Sequence, residues 1–150
     1  MVRKGFTLVE LMIVILIVAI LAAVAIPLMT GRIDAAKWSE GKSAMGTIAT
    51  AIRAYYAEKG CNTPAPATPS LVPDNPGFIG VTANDLTGTY FTSEAYDITS
   101  ASCTPATGQV AFVITCTAAD SMNRPNKPTT PPVITLTQVV GEPAVFVDVP

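Results

Sequence analysis

Lys4-Gly5-Phe6-Thr7-Leu8-Val9-Glu10 opens onto an apolar run from Leu11 to Ile26, and Glu10 is the single charge at the head of that run. A carboxylate at the start of a membrane-spanning helix costs on the order of a few kcal/mol even on lenient insertion scales. Something must compensate it. A cut after Gly5 would create a positive amine on Phe6, four residues from Glu10. That inference points to a membrane-inserted subunit that polymerises, and away from an enzyme.

Working outward, Phe6 to Ile26 is long enough to cross a hydrocarbon core of ~30 Å. Arg3 and Lys4 flank the run on its N-terminal side, so that end is expected to stay cytoplasmic and the bulk of the chain to lie outside. Removing residues 1–5 deletes both charges. The balance of nine Lys and Arg against eleven Asp and Glu then becomes seven against eleven, which is mildly acidic. Three plainer readings compete. A secretory signal peptide would use Ala23-Val24-Ala25 as its cleavage site, but it puts Glu10 inside the apolar core and ends before the helical pattern does. A simple anchor leaves Glu10 unexplained. A carboxylate that snorkels to the headgroups does not account for the Lys-Gly-Phe junction beside it.

Phe6 to about Lys59 reads as one long helix, ~80 Å at ~1.5 Å per residue, so roughly half of it must leave the bilayer. Met45, Ile48, Ile52, Tyr55 and Tyr56 recur at three- and four-residue steps, with Ala44, Ala49 and Ala51 beside them. Arg32, Asp34, Lys37, Glu40, Lys42 and Arg53 populate the other faces. The stripe needs a partner, and a sheet in the same chain is the simplest one. Gly60 is placed to stop the helix. Pro27 removes the bond to the Ala23 carbonyl at ~3 kcal/mol or more. With Gly31 beyond it, Pro27 predicts a helix break at the membrane surface, as a kink or as a segment that melts in an assembly.

The fold expected is α+β: a long N-terminal helix packed on a small antiparallel sheet of about four strands. The expected organisation is 1–5, a cleaved leader; 6–27, the spanning half of the helix; 28–60, its amphipathic half; 61–88, a proline-rich loop; and 89–150, a sheet head. Strands are predicted over Thr89–Ile98, Val110–Cys116, Pro132–Val140 and Ala144–Val149, as sequential hairpins with a turn at Gly141-Glu142-Pro143. Arg124 to Pro132 reads as a proline-broken loop.

Mean hydropathy is +0.44 and 49% of residues are hydrophobic, an excess concentrated before Pro27. There is no histidine, which removes the commonest general base and metal ligand. No catalytic residue, metal site, cofactor or nucleotide motif is expected. Beyond Gly60 only Arg124 and Lys127 face seven carboxylates, so nucleic acid is not expected as the main ligand. Asp85, Asp97 and Asp120 lack the compact ligand run of a calcium loop. Phe6, Tyr55 and Tyr56 read as packing groups and not as an electron relay. Cys103 and Cys116 are the expected disulfide, closing a short loop worth ~2–4 kcal/mol, with Cys61 as the alternative partner of either.

Lys4-Gly5-Phe6-Thr7-Leu8-Val9-Glu10-Leu11 and its continuation to Pro27 resemble the leader junction of prepilins with class III signal peptides: the type IV pilins and the type II secretion pseudopilins. The resemblance is specific at the N-terminus and covers about the first third of the chain. It implies cleavage between Gly5 and Phe6 by a prepilin peptidase, N-methylation of Phe6, and a helical filament of copies with their N-terminal helices in its core. It implies that Glu10 pairs with the Phe6 amine of a neighbouring copy, and that an inner-membrane assembly platform is a partner. The protein would wait as a single-pass inner-membrane subunit, then enter a surface filament for adhesion, motility or DNA uptake, or a periplasmic pseudopilus. Residues 61–88 would take the place of the family's αβ-loop. A staple in the C-terminal part of the head is common in the family; here the tail after Cys116 lies outside it. A non-polymerising anchored binding protein is the remaining alternative.

Overall fold

The computed structural model describes residues 5–66, 79–118 and 126–149. The chain divides between Ile33 and Asp34 into two units. One helix, α1 (Leu8–Lys59), supplies the first unit and the start of the second. In the first unit every described residue is exposed, including Leu8, Leu11, Ile15, Leu16 and Leu21, each at least 60% open. By length and composition this is the one helix among the described residues able to cross a membrane.

In the single chain α1 is helical through both Pro27 and Gly31. Proline removes one N–H donor, and the turns on either side keep theirs. The Thr30 hydroxyl also donates to the Pro27 carbonyl at 2.9 Å.

In the second unit the pattern of α1 changes. Asp34, Trp38, Gly41, Met45, Ile48, Ile52 and Tyr55 are buried, with Ala49 and Tyr56 beside them. The spacing runs four, three, four, three, four, three, which keeps one narrow face turned inward. Gly60 ends the helix with φ +80° and returns its N–H to the Tyr56 carbonyl at 2.9 Å.

The sheet is a four-stranded antiparallel meander in sequence order, formed by β1 (Tyr96–Thr104), β2 (Gln109–Thr117), β3 (Val133–Gln138) and β4 (Val145–Val149). Alternation selects its inner face. Tyr96, Ile98, Phe112, Ile114, Cys116, Ile134 and Leu136 are buried and form one core with the α1 stripe. β4 is an edge strand and is exposed throughout. A short helix, α2 (Ala83–Leu86), and a 3₁₀ turn at Ser93–Ala95 precede β1.

Two expectations need correction. The first strand was expected from Thr89, but β1 begins at Tyr96. The N–H groups of Thr89, Tyr90 and Phe91 are engaged by the Glu40 carboxylate of α1 instead of by a ladder. The disulfide joins Cys61 to Cys103, with Cα atoms 4.9 Å apart, and is not the expected Cys103–Cys116 bridge. In the β1–β2 register Cys103 lies opposite Val110, whereas Cys116 lies opposite Tyr96. Six residues at ~3.3 Å each hold those two thiols ~20 Å apart, too far for a bridge. Cys116 is buried in the core. Most of the proline-rich connection from Cys61 to Gly77, and the first part of the Arg124–Pro132 loop, lie outside the described residues.

The Asp34 carboxyl is held at about 2 against a usual 3.8. The Thr129 hydroxyl and N–H favour its charged form, Thr130 N–H and Lys37 add to this, and burial opposes it. A carboxyl depressed on folding stabilises fully above its unfolded value and loses that contribution as pH falls through the folded one. Asp34→Ala should therefore cost about 1–3 kcal/mol at neutral pH through the stranded Thr129 and Thr130 donors. In urea denaturation the gap from the unaltered chain should close between pH 4 and pH 2; a gap independent of pH would refute this account. Peptide mapping without reduction should recover Cys61 linked to Cys103, and Cys61→Ser should lower stability by about 2–5 kcal/mol.

Candidate assembly site

The first described residues, Gly5 and Phe6, precede the helix, and Phe6 is 86% exposed. Thr7 is the cap. Its carbonyl accepts from Leu11 N–H at 3.3 Å, and its hydroxyl accepts from Glu10 N–H at 3.3 Å. The Glu10 carboxylate reaches back and accepts from Thr7 N–H at 3.1 Å and from the Thr7 hydroxyl at 2.8 Å. Thr7-Leu8-Val9-Glu10 is thus a capping box, with Thr at the cap and Glu three residues on. The sequence reading gave Glu10 an intersubunit partner alone; the Thr-x-x-Glu spacing was the signal for this local one. The junction lies at a helix N-terminus, where negative charge is favoured. Among the described residues all of the donors to Glu10 are neutral, so they hold the carboxylate in place without balancing its charge. Residues 1–4 of the expected leader lie outside the described residues.

In the head, α1 carries two further carboxylates that the sequence reading set on solvent faces. Asp34 Oδ2 accepts from Thr129 N–H at 2.9 Å, the Thr129 hydroxyl at 2.7 Å and Thr130 N–H at 3.2 Å, while Oδ1 pairs with Lys37 Nζ at 3.4 Å. Glu40 accepts from three successive amides: Thr89 at 3.0 Å, Tyr90 at 2.8 Å and Phe91 at 3.0 Å. Gly88 makes that wrap sterically feasible, since a Cβ there would collide with the Glu40 carboxylate. Trp38 also donates from Nε1 to the Pro131 carbonyl at 3.1 Å. Arg53 bonds Gln138 of β3.

Tyr55 and Tyr56 form an edge-on pair 5.4 Å apart within the core, and the Tyr55 hydroxyl donates to the Pro64 carbonyl at 3.0 Å. Asp85 caps α2 through Thr82 N–H and its hydroxyl, which hold its carboxyl below the usual range. Asp97 lies on β1, and Asp120 is outside the described residues. Among the described residues no three His, Cys, Asp or Glu side chains gather as a metal would require.

Comparison with known proteins agrees with the N-terminal geometry. Residues 1–26 match the family model of the prokaryotic N-terminal methylation motif. The chain is 46% identical over 59 residues to the fimbrial protein EcpC of Eikenella corrodens, covering 39% of each chain. It is 44% identical over 57 residues to the type IV major pilin protein PilA of Myxococcus xanthus, covering 38% of this chain and 26% of PilA. It is 42% identical over 53 residues to the type II secretion system core protein G of Pseudomonas aeruginosa, covering 35% of this chain and 37% of that protein. The chain thus spans between about a quarter and two fifths of these relatives' own length. No solved structure matches it significantly. The methylation motif thus stands at the head of a long helix that packs on a four-stranded meander, and the N-terminal part of the chain is similar to fimbrial, type IV pilin and type II secretion proteins.

Proposed function

We propose that this chain is a structural subunit that is cut between Gly5 and Phe6, methylated on the Phe6 amine, and polymerised into a type IV pilus filament. The observation that carries the reading is the junction itself: a carboxylate, Glu10, fixed at the head of a helix whose apolar side chains have no cover within their own unit. Residues 1–5 act as the leader and residues 6–27 as the spanning segment, with Arg3 and Lys4 on the cytoplasmic side. A prepilin peptidase and an inner-membrane platform are the partners. In the filament the apolar faces of Leu8 to Ile26 pack on neighbouring copies. The cationic amine of one copy neutralises Glu10 of another, which sets axial register. Pro27 and Gly31 mark where the helix yields when copies are packed together.

A second reading, a pseudopilin of a type II secretion system, is supported by the similarity to core protein G. The chemistry at the junction is the same in both; the length of the fibre and its location differ. Long surface filaments decide for the pilus, and a short periplasmic fibre required for protein export decides for the pseudopilus.

Intact-mass analysis of mature protein should give a chain that begins at Phe6 and carries one added methyl. Glu10→Ala should leave the protein processed and in the membrane but cut filament yield at least about tenfold. That loss is in keeping with the ~3–5 kcal/mol cost of stranding one charge of a buried pair. Undiminished filaments from Glu10→Ala, or native material that keeps residues 1–5, would sink the mechanism.

A further inference from the structure

Where the C-terminal end of α1 meets the sheet there is a cleft of about 460 Å³, within the ~300–1,000 Å³ of small-molecule sites. Arg53 and Tyr56 of α1 line it, with Gln109 of β2, Gln138 of β3 and Glu142 of the β3–β4 turn. All of them belong to the second unit. The Arg53 guanidinium is positioned from two sides. It lies over the Phe112 ring, 5.2 Å from its centre, and Nη2 donates to Gln138 Oε1. Phe112 and Gln138 are partners in the β2–β3 ladder, so the sheet itself fixes the guanidinium. Nη1 and Nε are left without an acceptor among the described residues.

Tyr56 is 5% exposed, yet its hydroxyl has no hydrogen-bond partner among the described residues. Unlike the sealed hydroxyls of Thr92 and Tyr96, it keeps contact with solvent, which Tyr56 meets at the cleft wall. Buried polar groups in native proteins are nearly always paired, and an orphan calls for an explanation. Burial, with Tyr55 beside it, raises the Tyr56 pKa, so at neutral pH the hydroxyl keeps its proton and can donate. Gly141 turns at φ +84°, and a Cβ there would lie 4.0 Å from Gln109 Nε2, so that nitrogen stands beside the turn that carries Glu142. Arg53 and Glu142 share the cleft without pairing; among the described residues the one ion pair is Lys37 with Asp34. Opposite charges on separate walls, with unclaimed donors near them, leave a gap that the chain does not close itself.

We propose that the Arg53–Tyr56–Glu142 cleft binds an acidic sugar of the hexuronate class. A guanidinium fork satisfies both oxygens of one carboxylate. Two carboxamide groups, the Tyr56 hydroxyl and the Glu142 carboxylate then remain, and they require a ligand that both donates and accepts. An alcohol does both. A simple carboxylate would fill the Arg53 fork and leave the other groups unpaired. A neutral hexose would leave Arg53 without an anion, and a phosphate dianion is opposed by Glu142. A ring that carries one carboxylate among several hydroxyls meets every group. The site gives the head a recognition role beyond that of a structural subunit, and it does not depend on polymerisation. It also accounts for tyrosine at position 56, where phenylalanine would fill the core without an orphan oxygen.

The test titrates the full-length chain, purified in detergent, with the methyl glycosides of glucuronate, galacturonate, glucose and galactose and with N-acetylglycine, and reads binding by saturation-transfer NMR. One uronide should bind at least about tenfold more tightly than its neutral counterpart and than N-acetylglycine. Arg53→Gln should erase the preference for uronide over hexoside. Because Arg53 also packs on Phe112, Tyr56→Phe supplies an independent arm. It should weaken uronide binding about three- to tenfold and leave the thermal midpoint level, since the ring that packs in the core is unchanged. Equal binding of uronide and hexoside would overturn the assignment. So would N-acetylglycine bound as tightly as the uronide, which would make the cleft a reader of peptide carboxylates. A uronide affinity that both variants leave unchanged would place the sugar elsewhere, and no binding by any probe would leave water as the occupant; either result sinks the proposal.

Discussion

Everything in this molecule follows from a helix that the chain covers at one end only. Up to Ile33, α1 turns apolar side chains in all directions and buries none of them. Each large aliphatic group left in water forgoes ~1.5–3 kcal/mol of burial. A run of them is incompatible with a protein meant to stay dispersed in water. From Asp34 onward the same helix presents a single inward face, set by the four-three spacing from Asp34 to Tyr55, and the sheet of its own chain covers it. The change of pattern separates the part of α1 that must find cover elsewhere from the part that folds with the head.

The head is held to α1 by more than apolar contact. The backbone at Thr89–Phe91 and at Thr129–Thr130 belongs to no strand, so its N–H groups need other acceptors. Glu40 and Asp34 supply them from the helix. The two carboxylates stand six residues apart and each fixes a different loop, so the segment before β1 and the β2–β3 connection are both registered against the helix. The Cys61–Cys103 bridge adds a third tie, between the C-terminal end of α1 and β1.

Features that were legible in the sequence are periodic ones. Met45, Ile48, Ile52, Tyr55 and Tyr56 announced the buried stripe, and the alternation from Val110 to Cys116 announced β2 with its inner face. The Gly141-Glu142-Pro143 turn placed the last hairpin. What stayed hidden depends on partners distant in sequence. Glu40 meets its donors about fifty residues on and Asp34 about ninety-five, so both read as solvent charges on a polar face. Without those partners Thr89–Phe91, rich in β-formers, reads as strand. Trp38 extends the core stripe upstream of Met45, and its polar end is satisfied by Pro131, which no local pattern signals. The disulfide was misjudged because loop length ranked the cysteine pairs, whereas the hairpin register decides which thiols can meet.

Asp34, Glu40 and Glu10 use one device in three settings. Each is a carboxylate on α1 that accepts hydrogen bonds from backbone N–H groups, joined by a threonine hydroxyl at Asp34 and Glu10, and in each case those bonds orient the side chain. The settings differ in how well the charge is tolerated. Around the head, water and Lys37 are at hand, and Asp34 stays ionised well into acid. Glu10 heads a span that the proposed function puts in hydrocarbon, where neutral donors orient a carboxylate but cannot balance it. The capping box should outlast removal of residues 1–5, since Thr7 keeps both its N–H and its hydroxyl. The proposed cleavage would supply the one thing the box lacks, a positive charge that a neighbouring copy could bring to it. On the proposed function Thr7 would aim Glu10 and the freed Phe6 amine of a neighbouring copy would neutralise it. The two roles are separable, because losing the first costs a helix cap and losing the second costs the assembly.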